Sequence, residues 1–182
     1  MFKESKQLVI TADTLPYYIR NKPIDFTSKL SENLEDVSLI YTTLLPGPEL
    51  QIAQIAQAQK IPYVVLVPYK NYSSRWPQSI INKYNYYTKK SIKKITIDRE
   101  INYISEIEKP DLYSRDKIPS YFQWISDKVL NLDCKTKLLI YTRGLNSQKM
   151  TRILNLAMNS NYSKYKNIEL IQSTFIDSIN YS

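Results

Sequence analysis

Apolar residues occur along this chain in short runs separated by amphipathic stretches. The runs predict strands at LVITA from Leu8, VSLIYTT (37–43), YVVLVPY (63–69), TKLLIYTR (136–143) and NIELIQS (167–173). Nearly continuous apolar and β-branched residues are typical of strands buried on both faces of a sheet. IKKITID, from Ile92, alternates apolar and polar residues instead, which predicts a strand nearer a sheet edge.

The stretches between the strands show helical patterns. Helices are predicted from Thr27 or Ser28 through Leu34, at 48–60, within 73–90, at 121–130, and after an N-cap at Asn146 or Ser147. In the second of these, Pro48 suits the first helical position, where its missing N–H is not needed. The apolar and alanine residues of that helix supply its packing positions, and its glutamines lie mainly on the other side. Residues between Pro16 and Pro23 are predicted to form a loop.

This alternation of strands and helices predicts the class of fold. It is typical of βαβ units around a parallel sheet. We therefore expect an α/β, Rossmann-like three-layer sandwich with a mostly parallel central sheet. The length of 182 residues fits one domain over residues 1–182 with a short polar C-terminal tail.

The chain contains only two glycines, and each follows a predicted strand and precedes a predicted helix. Glycine is favoured where the backbone bends sharply or approaches a ligand closely. Gly47 lies in LLPGPEL and Gly144 in YTRGLNS. In open α/β sheets, ligands bind just beyond the carboxyl ends of the strands. These two turns are therefore the predicted working surface.

Composition removes several classes of chemistry. There is no histidine, so Ser-His-Asp and Cys-His catalysis and histidine-ligated metals are excluded. Cys134 is the only cysteine, so no intramolecular disulfide or cysteine zinc cluster is expected, and we expect no metal or cofactor. No apolar run approaches the ~20 residues that span a bilayer. We therefore expect a cytoplasmic protein with no membrane partner.

The net charge of +8 permits anionic partners such as nucleotides, nucleic acid or phosphorylated metabolites. The alternative is a basic, soluble surface with no dedicated partner. The lysines are dispersed along the sequence, with short groups such as Lys89, Lys90, Lys93 and Lys94. Dispersed charge favours the second interpretation over a nucleic-acid groove.

The first candidate site lies at the end of the second predicted strand and contains Thr42, Thr43, Gly47 and Glu49. N–H groups at a helix start attract anions, and threonine hydroxyls can donate to phosphate oxygens. Glu49 is suited to accept hydrogen bonds from ribose hydroxyls. Alternatively, Gly47 and Pro48 form an ordinary turn and Glu49 complements the helix dipole.

Three other groups lie at strand ends. The candidates among them are Asp13, Arg75, Trp76, Arg143, Gly144 and Ser147, with Thr142, Asn146 and Lys149 beside the last three. A cation and an aromatic ring at a strand end can neutralise and stack on a nucleotide. Each group also has a structural alternative: Asp13 caps the next turn, Trp76 packs beneath the following helix, and Gly144 belongs to a surface turn with an N-cap.

The order of these segments resembles the SLOG superfamily, the Rossmann-like proteins related to DprA and the LOG enzymes, and within it the YpsA-like branch. Gly47 matches the second glycine of the family turn, Glu49 its acidic residue, and YVVLVPY with Arg75 and Trp76 its third-strand segment. LLIYTRG resembles the later strand that faces the same cleft. Thr43 replaces the first family glycine, Ala12 and Asp13 replace a Gly-His pair, and the LOG glycine signature is absent.

The resemblance implies a nucleotide-derived ligand, such as an ADP-ribose-like molecule, and does not establish turnover. One alternative is a nucleoside-monophosphate N-glycosidic hydrolase, in which Glu49 activates water or stabilises an oxocarbenium-like transition state. Another is an interaction protein with a decayed pocket that binds nucleic acid or protein. Proteins of this superfamily often self-associate, so a homo-oligomer is also predicted as possible.

Overall fold

The computed structural model describes residues 5–12, 18–19, 22–23, 25–67, 72–74, 76–96, 135–142 and 168–174. The strands in this part are β1 Lys6–Ala12, β2 Tyr18–Ile19, β3 Lys22–Pro23, β4 Val37–Thr42, β5 Tyr63–Val67, β6 Lys93–Thr96, β7 Thr136–Thr142 and β8 Ile168–Thr174. The helices are α1 Thr27–Ser31, α2 Pro48–Ala58 and α3 Gln78–Lys90.

Six of the strands form one sheet in the order β6-β5-β4-β1-β7-β8, and every neighbouring pair is parallel. In register, Leu8 of β1 lies between Ile40 of β4 and Lys137 of β7. The α/β, Rossmann-like fold with a parallel central sheet is therefore confirmed. The carboxyl ends of all six strands lie along one edge of the sheet, called here the carboxyl edge, and their amino ends lie along the other, the amino edge.

The central strands are buried on both faces, as their apolar runs predict. Tyr63, Val65 and Val67 of β5 join the main hydrophobic core, while Val64 and Leu66 point the other way and are also buried. The core contains Leu8, Ile10, Ile40, Leu50, Ile52, Ala53 and Leu139. β6 lies at the end of the sheet and is mostly exposed, which confirms its predicted edge position.

Helix α2 lies against β1 and β4 and is buried along most of its length. It begins at Pro48, as predicted. Gln51, which is 6% exposed, is the exception to the prediction that the glutamines of α2 lie mainly on the outer side. Its side-chain Oε1 accepts a 2.7 Å hydrogen bond from the N–H of Phe26, so this glutamine satisfies a buried backbone donor between α1 and α2.

Other boundaries differ from the predictions in small ways. α1 ends at Ser31 rather than Leu34, although Leu34 is buried in the core. The predicted loop after Pro16 contains a short antiparallel pair, β2 with β3. The helices predicted at 121–130 and after Asn146, and the polar tail, lie outside the described residues.

Candidate functional site

The loop between β4 and α2 has an unusual backbone. Leu44 has a φ of 59° and Gly47 a φ of 120°. Positive φ is unfavourable for residues with a Cβ, so Gly47 stands where its freedom is needed. Leu44 adopts the left-handed conformation as a fully buried leucine, at a cost of about 1–3 kcal/mol. The loop therefore holds a conformation that its neighbours must stabilise.

The loop closes onto the first turn of α2 through backbone hydrogen bonds. The N–H of Leu50 donates to the carbonyl of Leu45 at 3.1 Å, and that of Gln51 to the carbonyl of Gly47 at 3.0 Å. The bond from Leu50 satisfies a donor that a helix start otherwise leaves without an intrahelical partner, and the bond from Gln51 is the first intrahelical bond of α2. The position of Glu49, in the same turn, is fixed relative to the end of β4.

Glu49 is the central residue of this turn and is only 2% exposed. Its Oε1 accepts a 2.6 Å hydrogen bond from the hydroxyl of Thr43 and a 3.3 Å bond from the N–H of Thr43. Hydrogen bonds to a carboxylate are stronger than those between neutral groups, and they offset part of the cost of burying the charge. The turn thus holds a carboxyl group in one fixed orientation at the amino end of α2.

Thr42 ties the backbone of the same turn together. Its hydroxyl donates to the main-chain carbonyl of Glu49 at 2.7 Å and accepts from the N–H of Leu44 at 3.1 Å. The sequence predicted that the hydroxyls of Thr42 and Thr43 donate to a phosphate. In this structure both hydroxyl protons are donated to Glu49, because its buried carbonyl and carboxylate need donors.

An aromatic cluster lies next to the turn. The hydroxyl of Tyr72 donates to Oγ1 of Thr43 at 3.0 Å. The Tyr72 ring contacts Trp76 edge to face, with centroids 4.9 Å apart, and Trp76 contacts Tyr84 of α3 at 5.4 Å. Trp76 therefore packs against the following helix, as its structural alternative expected, and is linked to Thr43 through Tyr72.

Thr43 and Tyr72 form a directed chain of hydrogen bonds that ends on the carboxylate. The Thr43 hydroxyl receives bonds from Tyr72 and, at 3.4 Å, from the N–H of Leu45, and gives its own proton to Glu49. A hydroxyl has one donor and two acceptor positions, and all three are used here. Tyr72 was not among the site residues predicted from the sequence. The one sequence feature that points to it is its position four residues before Trp76 in the same loop.

Of the ten predicted site residues, the structure brings together Thr42, Thr43, Gly47 and Glu49, and connects Trp76 to them. The other five, Asp13, Arg75, Arg143, Gly144 and Ser147, lie outside the described residues. The strands that lead to the loops at Asp13 and Arg143 are described. β1 ends at Ala12 and β7 at Thr142, and both reach the carboxyl edge where β4 ends.

The amino edge carries a cluster of ion pairs. Asp36 lies 2.5 Å from Lys137 and 3.0 Å from Lys6, and Lys6 lies 3.4 Å from Glu169. The hydrogen bond from Lys137 lowers the pKa of Asp36 to about 2. The hydrogen bond to Asp36 in turn raises the pKa of Lys6. These pairs join the starts of β1, β4, β7 and β8.

Two further properties of the described residues concern metal binding and the crossing of a membrane. Nowhere in the described ranges do three His, Cys, Asp or Glu side chains come together as metal ligands would. Among the helices described, none has the length and apolar character needed to cross a bilayer.

Comparison with known proteins adds no identification. No protein-family model matches the chain, and no curated protein matches it.

Proposed function

We propose that this protein binds a nucleotide-like anionic small molecule, such as an ADP-ribose-like compound, at the carboxyl edge of its sheet, and that it senses or sequesters this ligand without turnover. The observation that carries the proposal is Glu49, a carboxyl group that is 2% exposed and held by Thr43 at the amino end of α2. A carboxylate oxygen can accept more than one hydrogen bond, and a ribose hydroxyl is a suitable donor to such a group.

The topology favours the same edge. Along the chain, successive strands of the sheet run outward from β1 through β4, β5 and β6, and then return to β7 on the other side of β1. The order of strands reverses at β1, and ligands of open α/β sheets bind beyond the carboxyl ends at such a reversal. The strands on either side of β1 are β4 and β7, and in the sequence these strands precede Gly47 and Gly144. We assign the loops at these two glycines to the proposed ligand site.

The proposal divides the ligand between these two loops. Glu49 accepts from ribose hydroxyls, and the positive end of the α2 dipole favours an anionic group nearby. Because the hydroxyls of Thr42 and Thr43 donate to Glu49, the phosphate donors are assigned to Arg143, Ser147 and the backbone at Gly144. We also assign Asp13 and Arg75 to this site, because they follow β1 and β5 in the sequence.

The resemblance to YpsA-like members of the SLOG superfamily supports this assignment, because Gly47 and Glu49 occupy the family's glycine and acidic positions. Binding is favoured over N-glycosidic hydrolysis because the glycine signature of the LOG enzymes is absent from the sequence, and because Ala12 and Asp13 replace the family's Gly-His pair.

Thermal-shift measurements against nucleotides, dinucleotides and cyclic nucleotides test the proposal. A ligand at about 100 times its Kd adds about 2.7 kcal/mol to the free energy of unfolding, so a binder gives a clear rise in Tm. Glu49→Gln keeps the shape of the side chain and is expected to abolish this rise. Glu32→Gln, an exposed glutamate after α1, is the matched control and should leave it unchanged.

The outcomes separate the candidate functions. A flat response to every compound in the wild-type protein would rule out the nucleotide proposal. Release of free base from a bound nucleotide, measured by chromatography, would replace binding with the hydrolase function. Circular dichroism of Glu49→Gln checks that a lost response does not come from unfolding.

A further inference from the structure

The net positive charge of this protein comes from one segment of its sequence. Residues 50–97 contain eight lysines and arginines and no acidic residue, and the rest of the chain has 17 basic and 17 acidic residues. Residues 50–97, which form α2 after Glu49 together with β5, α3 and β6, therefore account for the whole net charge of +8. Five of these eight cations follow the end of α2, end α3 or begin β6, and so lie at the amino edge of the sheet.

Five exposed lysines of this segment form what we call the lysine patch: Lys60, Lys89, Lys90, Lys93 and Lys94. Lys60 follows the carboxyl end of α2, the next two end α3, and the last two begin β6. Within the described residues none of the five makes an ion pair, in contrast to the clustered pairs of Lys6 and Lys137. Lys89 and Lys90 also complement the dipole of α3, so a role within the helix explains the presence of two of the five lysines.

The patch also contains exposed hydrophobic side chains. Tyr86 is 49% exposed and Ile92 is 63% exposed, and they are the only large hydrophobic residues that are exposed in the described part of the chain. The Nζ of Lys90 lies 5.8 Å from the centre of the Tyr86 ring, and Gln57 of α2 donates to the Tyr86 hydroxyl at 3.1 Å. Ile92 lies between Lys90 and Lys93, and its N–H donates to the carbonyl of Tyr63 at 3.0 Å.

We propose that the lysine patch, with Tyr86 and Ile92, docks the protein peripherally on an anionic lipid surface. Lysine is a hydrated, flexible point charge, which suits attraction to a layer of mobile headgroups. Tyrosine favours the boundary between headgroups and acyl chains, and an exposed isoleucine gains by leaving water there.

The composition of the patch disfavours two other kinds of partner, namely proteins and nucleic acids. Protein interfaces are depleted in lysine, whereas this patch has lysine as its only cation. Nucleic-acid surfaces combine cations with several rings that stack on successive bases, whereas Tyr86 is the one large aromatic side chain exposed within the described residues and Ile92 has no ring. The proposal departs from the sequence-based expectation of no membrane partner, which rested on the absence of a spanning segment. It concerns the amino edge, so it is independent of the ligand site at the carboxyl edge.

Co-sedimentation with vesicles tests the inference on the full chain. Vesicles of phosphatidylcholine with about 30 mol % phosphatidylserine are expected to bind the protein, and pure phosphatidylcholine vesicles are not. Each lysine near such a surface contributes about fivefold, so Lys89→Ala with Lys90→Ala should weaken binding about 30-fold. The control pair, Lys29→Ala with Lys135→Ala, removes the same charge outside the patch and should change binding less than about threefold.

Two further measurements separate the two components of the surface. Ile92→Ser should weaken binding several-fold without changing its salt dependence, because it removes apolar contact and no charge. Raising the salt from about 0.1 M to about 0.5 M should release the wild-type protein.

Several results would overturn the inference. No binding to the anionic vesicles would do so, as would equal binding to neutral vesicles or an equal effect of the control pair. Tighter, patch-dependent binding to a single-stranded oligonucleotide than to vesicles would assign the patch to nucleic acid instead.

Discussion

The two edges of the parallel sheet hold their carboxylates in opposite ways. At the amino edge, Asp36 is 21% exposed and pairs with lysine side chains from two neighbouring strands. At the carboxyl edge, Glu49 is 2% exposed and is held by the hydroxyl and amide of Thr43. The Asp36 pairs are partly exposed, so salt screens them in part, whereas the more deeply buried Glu49 depends on exact hydrogen-bond geometry. The comparison indicates that the amino edge joins strands and the carboxyl edge fixes one functional group in place.

The largest difference between the edges should appear when a carboxylate is removed. Glu49→Ala leaves the N–H and hydroxyl of Thr43 without their acceptor in a buried turn, and we expect it to lower the free energy of unfolding by about 2–4 kcal/mol. Glu169→Ala, at the amino edge, removes an exposed pair and should cost less than about 0.5 kcal/mol. Urea denaturation measures both. Similar costs for the two variants would remove the distinction between the edges.

The next effect concerns the backbone of the turn. Among the described residues, no atom apart from those of its two chain neighbours lies within 4 Å of a Cβ placed on Gly47, so the reason for glycine there is its φ of 120° and not lack of space. Gly47→Ala is therefore expected to cost about 1–3 kcal/mol through backbone strain alone. A cost near zero in urea denaturation would mean that the turn relaxes to negative φ, and Glu49 would then not be rigidly placed.

The ion pairs of the amino edge should give a smaller, pH-dependent effect. The hydrogen bond from Lys137 lowers the pKa of folded Asp36 to about 2, below its unfolded value near 3.8. Its contribution is therefore present above about pH 4 and is lost as the pH falls from about 4 towards about 2. After solvent screening we expect about 1 kcal/mol.

Asp36→Asn measures this contribution directly. The difference in unfolding free energy between it and the wild type should be about 1 kcal/mol at neutral pH and should shrink between about pH 4 and about pH 2. A difference that is constant with pH would show that the cost comes from packing and not from the charge of Asp36. Glu169→Gln, whose partner lies 3.4 Å away and whose side chain is 55% exposed, is the control with little expected change.

The sequence predicted the fold better than the site, for physical reasons. Buried parallel strands need long apolar runs, so β4, β5 and β7 were recognisable as strands from the sequence pattern alone. Strand order and side-chain direction depend on contacts between distant residues. No local pattern shows that Thr43 turns its hydroxyl to Glu49, or that Tyr72, 29 residues further on, donates to it. The same holds for the lysine patch, because only the fold shows that the ends of α2 and α3 and the start of β6 lie at the same edge of the sheet.

The smallest predicted effect compares the two ends of α2, each of which has a left-handed residue that is not glycine. Lys60 has a φ of 59° and ends the helix in a Schellman motif. The N–H of Ile61 donates to the carbonyl of Ala56 at 2.8 Å, and the N–H of Lys60 donates to the carbonyl of Gln57 at 3.3 Å. Glycine is preferred at this position because it has no Cβ.

Lys60→Gly should therefore raise the free energy of unfolding by about 0.5 kcal/mol, since relief of strain exceeds the added entropy of the unfolded chain. Lys60→Ala removes the same charge but keeps the strain, and should change stability very little. At the other end of α2, Leu44→Gly should destabilise by about 2 kcal/mol or more, because it also removes a fully buried side chain. If both glycine variants stabilised the protein, the positive φ of Leu44 would be a source of strain like that of Lys60. The strain at Leu44 would then not mark the loop before α2 as a ligand site.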